Sequence, residues 1–336
     1  MNVLLIFITG APCVLGGELF QASKRTKDAN TARVCAHVGT PAPVRQVRSD
    51  HRDGDEERVN KLILALAQQD PKVRKAAVLA LGNIGPGAKK AIPELIKVLR
   101  APSSYPGRAC EYQPGILYLD CLGARAAVAL IQIGSDSARP LAETATDTRY
   151  SKNSRLSAVI ALHKLGPKAK TVTGMIARLL TDDDEEIKLN ALWVLVRAAP
   201  GSMDVKRHVL GVFADESAYV RVNAALALYE LDPGNVISLP ILLDCLSRNT
   251  SRVQLSAAQA LGKLGPSART SVPQIARLLA SPDRMLRSAA AHAIGEIGTS
   301  APDVINLLQK LCDDQDSDVR ENDRYAIDLI RRRMGR

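Results

Sequence analysis

The apolar residues of this chain follow a pattern that returns about every 33 residues. Leucine or isoleucine anchors stand at this constant spacing through the C-terminal half, at Leu162, Leu195, Leu228, Leu261, Ile294 and Ile327. An alanine lies four residues before each of the first five anchors. A period of this length indicates stacked supersecondary units rather than one globular core.

The same alanine–leucine step occurs upstream, with one interruption. Leu81 follows Ala77 by four residues, and Leu130 follows Ala126 by four. The distance between these two anchors exceeds one period by about 16 residues, which form an insertion at about 101–118. The pattern therefore predicts about eight repeats within residues 59–333.

Each repeat is predicted to begin with a helix of about four turns. Eleven residues before seven of the anchors stands a side chain that can cap a helix N-terminus: Asp70, Ser151, Asp184, Ser217, Thr250, Asp283 and Asp316. Glycine four residues after five of the anchors, and proline at the next position in five repeats, predict the helix end. In the first repeat the expected buried stripe comprises Val73, Ala77, Leu81 and Ile84.

A second helix is predicted after each first helix. Pro93, Pro240 and Pro273 stand where a first helical turn tolerates proline, and apolar runs such as 95–99 and 275–279 follow two of them. No segment alternates between polar and apolar residues for long enough to predict a strand. The chain is therefore predicted to be an all-α solenoid of helical hairpins.

The unit Asp70-Pro71-x-Val73-Arg74-x-x-Ala77-x-x-x-Leu81-Gly82-x-Ile84-Gly85-Pro86 resembles a HEAT repeat of the short bacterial type known as PBS lyase HEAT-like. The resemblance covers roughly residues 59–333. It implies an ARM-type fold, a right-handed superhelix of about eight two-helix repeats whose concave face is lined by the second helices. It also implies a scaffold or adaptor, because few members of this family are enzymes.

The net charge of +10 invites a nucleic-acid interpretation, so its distribution matters. Residues 59–99 and 248–300 each carry +5, whereas residues 201–247 carry −3. A duplex-binding protein more often presents an unbroken basic track. Nucleic-acid binding through separated basic patches is therefore kept as the alternative to protein binding.

Basic residues occupy two registers of the repeat. The first lies seven residues before the anchor, and we expect its members to pack between repeats: Arg74, Arg155, Lys188, Arg221, Arg287 and Arg320. The second lies sixteen residues after the anchor and includes Lys97, Arg178, Arg277 and Lys310, with Gly211 and Asp244 breaking the row. This second row is predicted to face the concave groove, either as a patch for an acidic partner or as a solvated face. Two acidic runs, 182–186 and 313–318, are interpreted as helix-start electrostatics.

The N-terminal region bears on location. Residues 1–20 contain an apolar stretch that is too short to span a membrane and suits a signal peptide, although no basic residue precedes it. Residues 21–58 are predicted to be a disordered linker. Export to the periplasm and a cytoplasmic location both stay open, no membrane span is expected in the mature chain, and Cys110 and Cys121 could form a disulfide only after export.

No catalytic or cofactor motif emerges. The five histidines share no register with carboxylates, and none is followed by glutamate, which the His-Glu pairs of the HEAT-repeat enzyme deoxyhypusine hydroxylase would require. The six cysteines form no Cys-x-x-Cys pair, and no phosphate-binding loop is present. We therefore predict no catalytic residue, no metal and no cofactor, and keep an accessory, lyase-like subunit as a second alternative.

The insertion at about 101–118 holds Tyr105, Arg108 and Tyr112, which are residue types enriched where binding energy concentrates. It is predicted either to carry specific contacts or to pack on its own repeat. In the last repeat Asp323 replaces the buried alanine, and we expect it to be part of a solvent-facing cap. The leading hypothesis is a non-catalytic scaffold that binds a protein through the second-helix face and the insertion.

Overall fold

A computed structural model of the chain describes residues 51–101, 122–235, 237–248, 250–299 and 301–333. The insertion residues Tyr105, Arg108 and Tyr112, and the cysteines Cys110 and Cys121, lie outside the described residues. The predicted signal peptide and residues 21–50 of the predicted linker also lie outside them.

The described residues fold into α-helices joined by short 3-10 turns. In chain order the helices are α1 (His51–Leu66), α2 (Pro71–Ile84), α3 (Ile92–Arg100), α4 (Leu122–Ile133), α5 (Ala138–Thr146), α6 (Lys152–Leu165), α7 (Thr173–Ala177), α8 (Glu185–Ala198), α9 (Met203–Gly211), α10 (Ala218–Leu231), α11 (Ser238–Arg248), α12 (Ser251–Leu264), α13 (Val272–Arg277), α14 (Arg284–Ile297), α15 (Pro302–Leu311) and α16 (Ser317–Arg333). No strand occurs in this part of the chain. None of these helices is long and apolar enough to cross a membrane.

The helices alternate between two layers of a solenoid. The even-numbered helices α2 to α16 are the first helices of the repeats, and each contacts the next even-numbered helix along the stack. The odd-numbered helices α3 to α15 are the second helices, which lie between consecutive first helices along the chain. The predicted all-α solenoid with eight first helices is thus confirmed.

The repeating anchor pattern marks the core of this stack. The anchors from Leu81 to Ile294 are fully buried and Ile327 is nearly so, and the preceding alanines from Ala77 to Ala290 are buried with them. The exception is Val73, which was expected in the buried stripe but is 39% exposed. In later repeats the equivalent residue is covered by the preceding first helix, and the structure describes no such helix before α2.

The predicted caps form at nearly every first helix. The side chain of Asp184 accepts hydrogen bonds from the backbone N–H groups of Glu186 and Ile187, and those of Asp70, Ser151, Ser217, Asp283 and Asp316 act in the same way. Thr250 was expected to cap α12, but its side chain makes no capping bond. The five predicted glycine stops, Gly85, Gly134, Gly166, Gly265 and Gly298, all have positive φ angles.

The glycine stops that are followed by proline lead into short turns and not into extended loops. The chain continues as 3-10 helices over Gly85–Ala91, Gly166–Val172 and Gly265–Ser271. Proline restricts φ to a value that a 3-10 turn accepts. These turns lead directly into the second helices, two of which (α7 and α13) are short and end in further 3-10 turns.

The predicted linker boundary at residue 58 is wrong, because α1 begins at His51. Its last turns repeat the second-helix pattern: Leu62-Ile63-Leu64-Ala65-Leu66 stands one repeat period before Leu95-Ile96-Lys97-Val98-Leu99. Val59 and Leu66 are buried against the rest of the core. The apolar stripe is continuous with a polar segment that belongs to the same helix, so α1 has the position of the second helix of a further unit, whose other part lies outside the described residues.

Three glycines set how closely the first helices approach one another. Gly82, Gly262 and Gly295 each stand one residue after an anchor, and each faces an alanine of the next first helix. A Cβ atom placed on Gly295 would lie 2.7 Å from the Cα atom of Ala326. The backbones of α14 and α16 therefore meet at a distance that leaves no room for a side chain.

Asp323 does not form a solvent-facing cap as expected. The residue is fully buried, because its position four before the anchor points into the core in α16 as it does in every other repeat. The thiol of Cys312 donates a hydrogen bond to Oδ2 of Asp323 at 3.0 Å, and Oδ1 has no partner among the described residues. Burial raises the pKa of Asp323 to about 6. The polar cap is formed instead by exposed residues on the outer flank of α16, such as Glu321, Arg324 and Asp328.

The close approach at Gly295 gives a paired prediction. Gly295→Ala is expected to lower the free energy of unfolding by about 1–3 kcal/mol, because the added methyl group forces α14 and α16 apart. Gly211→Ala is the matched control: no atom lies within 4 Å of the added Cβ, and alanine favours the helix by up to about 1 kcal/mol. Denaturant unfolding measures both, and an equal response would contradict the packing account.

Asp323 predicts a pH dependence of defined sign. Its folded-state pKa of about 6 exceeds the unfolded value, so its ionisation lowers stability as the pH rises from about 4 to about 6. Asp323→Ala should therefore gain about 1–3 kcal/mol relative to the wild type between about pH 4 and pH 7. Burial lowers the pKa of His163 to about 4, which has the opposite effect on stability but is common to both proteins. A pH-independent difference between the two unfolding curves would show that Asp323 does not titrate in this range.

Candidate functional site

The first basic register forms a ladder between neighbouring repeats. Nε of Arg155 on α6 donates to the backbone oxygen of Ala145 at 3.0 Å, and its guanidinium also pairs with Asp182 ahead of α8. Lys188 on α8 pairs with Asp215 at 2.7 Å. Arg287 on α14 donates two hydrogen bonds of 2.8 Å to Asp314. In each pair the acid lies 27 residues after the base, in the turn before the next first helix.

The acidic partners of this ladder have two tasks. While Asp314 accepts from Arg287, its Oδ1 also accepts the backbone N–H of the capping residue Asp316 at 2.9 Å. Asp182 and Asp215 hold their capping residues in the same way. The hydrogen bonds from Arg287 keep the pKa of Asp314 below its usual value. Each of these ion pairs, here called a rung, thus connects the start of one first helix to the side of the preceding first helix.

Other members of the register use backbone oxygens. Arg221 donates to the carbonyls of Asp215 and Glu216, and Arg320 donates to those of Asp314 and Gln315. The residue 27 positions after Arg221 is Arg248, so Arg221 has no carboxylate at the position where the other bases find theirs. Five of the six members of the first register therefore have the expected structural role. Arg74 is the exception, because its buried Nε has no hydrogen-bond partner among the described residues. The acidic runs that contain Asp182 and Asp314 are interpreted from the sequence as helix-start charge. The constant 27-residue spacing from base to acid, which Asp215 shares, is also visible in the sequence.

The second basic register has a different environment. Lys97 on α3, Arg178 in the turn after α7, Arg277 on α13 and Lys310 on α15 are all exposed. Lys97 pairs with Glu94 of its own helix at 2.6 Å, an exposed contact of the kind that contributes little stability. Arg178, Arg277 and Lys310 have no ion pair with any described residue. These charges therefore form no ion pair between one repeat and the next among the described residues.

Consecutive second helices contact one another from α3 to α9 and again from α11 to α15. Because residues at one register of a solenoid repeat from helix to helix, the exposed cations lie in a row along this layer. Gly211 and the exposed Asp244 interrupt the row in the middle. Sequence reasoning did not identify Leu64, which is 68% exposed and stands one repeat period before Lys97, at the same register of α1. The match between residues 62–66 and the second-helix pattern would have predicted that Leu64 occupies this register.

A groove of about 690 Å³ runs along the outer side of the last first helices. Leu255, Gln259, Met285 and His292 are among its lining residues. The imidazole of His292 stacks on the ring of Tyr325, with ring centroids 5.5 Å apart. Within the described residues, no group of three or more His, Cys, Asp or Glu side chains is arranged to hold a metal ion.

His163 on α6 is the histidine whose pKa is most clearly shifted, but its role is structural. Partial burial against α8 lowers its pKa to about 4 and keeps the imidazole neutral at physiological pH. The positive charge of Arg197 acts in the same direction. The groups that act on this imidazole are two cations and a backbone carbonyl, so it lacks the carboxylate that would orient a general base.

Comparisons with known proteins agree with this geometry. A family model for HEAT repeats matches residues 172–262 and 239–327, and the model for the PBS lyase HEAT-like repeat matches residues 73–101. Together they cover somewhat more than half of the chain. The chain therefore belongs to the HEAT-repeat proteins. The comparison with curated proteins gives no match.

Solved structures show the same fold at low sequence identity. Kap121p bound to Ste12p is 16% identical over 85% of this chain and 34% of its own, with a TM-score of 0.59. The karyopherin Kap121p bound to the extreme C-terminus of the protein phosphatase Cdc14p is 17% identical, with the same coverage and TM-score. This chain thus spans about a third of Kap121p. Human deoxyhypusine hydroxylase aligns over 83% of this chain and 98% of its own at 23% identity, but its TM-score of 0.33 is too low to carry an argument.

Proposed function

We propose that this chain is a non-catalytic scaffold that binds an acidic protein partner on the face formed by its second helices. The observation that carries the proposal is the division between the two basic registers. Five of the six cations of the first register, all except Arg74, bind Asp182, Asp215, Asp314 or backbone oxygens. Those of the second register are exposed and contribute nothing to the stacking of the repeats.

The spacing of the exposed cations describes the partner that would fit. Adjacent packed helices are about 8–10 Å apart. Arg277 and Lys310 stand on consecutive second helices and form one cationic cluster. Lys97 and Arg178 form a looser one, about 16–20 Å apart, because Thr146 on α5 stands between them. About 24–30 Å separates Arg178 from Arg277 along the row. A partner with two acidic clusters separated by a neutral stretch complements this arrangement. Gly211 and Asp244 lie opposite the neutral stretch.

Two further features support binding on this layer. The insertion with Tyr105, Arg108 and Tyr112 stands in the sequence between α3 and α4, and α3 carries Lys97 at one end of the row. We propose the insertion as a second contact region for the same partner. Leu64 adds an exposed apolar side chain at the N-terminal end of the row.

The similarity to Kap121p is evidence of a shared fold only. The structures of Kap121p bound to Ste12p and to the extreme C-terminus of Cdc14p concern the partners of Kap121p. Protein binding by the present chain is inferred from the exposed row. A non-catalytic role is inferred from the half-buried His163, whose imidazole is neutral, and from the lack of a metal-binding cluster among the described residues.

The test combines charge reversal with a matched control in the full chain. Replacing Lys97, Arg178, Arg277 and Lys310 by glutamate should weaken capture of the partner that co-purifies with the wild type by about tenfold or more. Replacing four exposed cations outside the second helices, Lys164, Lys168, Arg269 and Arg331, by glutamate changes the net charge equally and should leave capture unchanged.

Two results would contradict the proposal. Equal loss in both variants would mean that total charge, not the row, determines binding. Saturable binding to a DNA or RNA duplex whose affinity falls steeply with salt, and falls equally in both variants, would favour the nucleic-acid alternative.

A further inference from the structure

The two ends of the solenoid differ in the residues they expose. At the C-terminal end, the outer flank of α16 carries exposed Glu321, Arg324 and Asp328, the polar surface that a terminal repeat requires. At the N-terminal end, the outer flank of α2 carries Val73, Ala76, Ala80 and Ile84, spaced by three and four residues on one side of the helix. We call this apolar flank the N-terminal slot.

In the internal repeats, the positions equivalent to the slot face the first helix of the preceding repeat. Val73 is 39% exposed, whereas its equivalents Val220 and Val319 are 1% and 0% exposed. Ala80 and Ile84 are half-buried. Their equivalents in α14 and α16 are all buried, at Ala293, Ala326, Ile297 and Ile330.

Among the described residues, the unit that contains α1 has a second helix but no first helix, so no described helix covers the slot. An α-helix lying beside α2, with an apolar stripe turned to Val73 and Ala80, would complete the stack in the manner of each internal repeat.

The charges around the slot indicate the chemistry of that helix. α2 contains Lys72, Arg74 and Lys75 and no acidic residue. Lys72 and Lys75, together with Lys89 in the following turn, are exposed and form no ion pair with a described residue. A second copy of this chain is a poor occupant, because two slots would oppose lysine to lysine and the polar flank of α16 offers no apolar stripe.

We infer that the N-terminal slot binds an amphipathic α-helix of a partner protein, with acidic side chains beside its apolar stripe. Binding adds one helix beside α2 and covers apolar surface that the described residues leave exposed. This surface lies on the first-helix layer and is independent of the cationic row on the second helices.

The experiment measures binding of a labelled synthetic helix to the full chain by fluorescence anisotropy. The peptide is about 18 residues long, which gives five helical turns, with Leu and Ala at alternate spacings of three and four and Glu at the other positions. A peptide with Lys in place of Glu is the charge control. We expect saturable binding of the acidic peptide and at least about tenfold weaker binding of the basic one.

The slot variant is Val73→Glu with Ala76→Glu. Both side chains are exposed, so the substitutions leave the core intact, and binding of the acidic peptide should fall by about tenfold or more. The matched control is Asn306→Glu with Gln309→Glu, two exposed positions of α15 with the same charge change, and binding there should stay within about twofold of the wild type. Circular dichroism verifies that both variants are folded.

Hydrogen exchange and sedimentation complete the test. The acidic peptide should slow amide exchange in α2 in the wild type and not in the slot variant. Absence of saturable peptide binding, or equal binding to the slot and control variants, would overturn the inference. So would exchange protection of α2 in the free chain that is lost on substitution within residues 3–15, which would identify the chain's own N-terminal segment as the occupant. A dimer that dissociates in the slot variant would identify a second copy instead.

Discussion

Coupling between neighbouring first helices is the constraint on which the rest of this structure depends. No repeat can bury its own anchor and alanine, so each first helix must be covered on both flanks by its neighbours. Two kinds of contact fix that arrangement: the backbone approach at residues such as Gly295 and Ala326, and the ion-pair rungs such as Arg287 with Asp314. The rung also holds the capping residue of the next helix, so it aligns the repeat that it joins.

This constraint separates residues that stack from residues that are free to bind. Most cations of the first register, most capping side chains and the glycine stops are used within the solenoid. Stacking does not use the row on the second helices or the flank of α2 that no described helix covers. Both proposals for function therefore concern surfaces that the repeat has no structural need to make basic or apolar.

Much of the fold could be predicted because the repeat encodes it locally and many times over. Anchors, alanines, N-caps and glycine stops each recur, so an exception such as the missing side-chain bond of Thr250 did not change the overall prediction. Errors arose where a single residue was interpreted alone. Asp323 was expected on the surface because it is acidic, but the helical period decides its direction and places it in the core.

The ends and the site were harder to predict for a physical reason. Whether Val73 is buried depends on a neighbouring helix, and the sequence around Val73 does not show whether that helix is present. The polar start of α1 concealed a helix that is stabilised by apolar residues further along, such as Val59 and Leu66. The spacing of the rungs was present in the sequence, but it became meaningful only when the turn before each helix was placed against the preceding repeat.

A double-mutant cycle on Arg287 and Asp314 tests most directly the claim that the first-helix cations couple neighbouring repeats. The two side chains are largely buried, at 17% and 9% exposed, and their removal singly and together by alanine should reveal a coupling energy of about 1–3 kcal/mol in denaturant unfolding. The same cycle on Arg277 and Asp314 should give a value near zero. A coupling energy below about 0.3 kcal/mol for Arg287 and Asp314 would contradict the account, because the first register would then be no more structural than the exposed row.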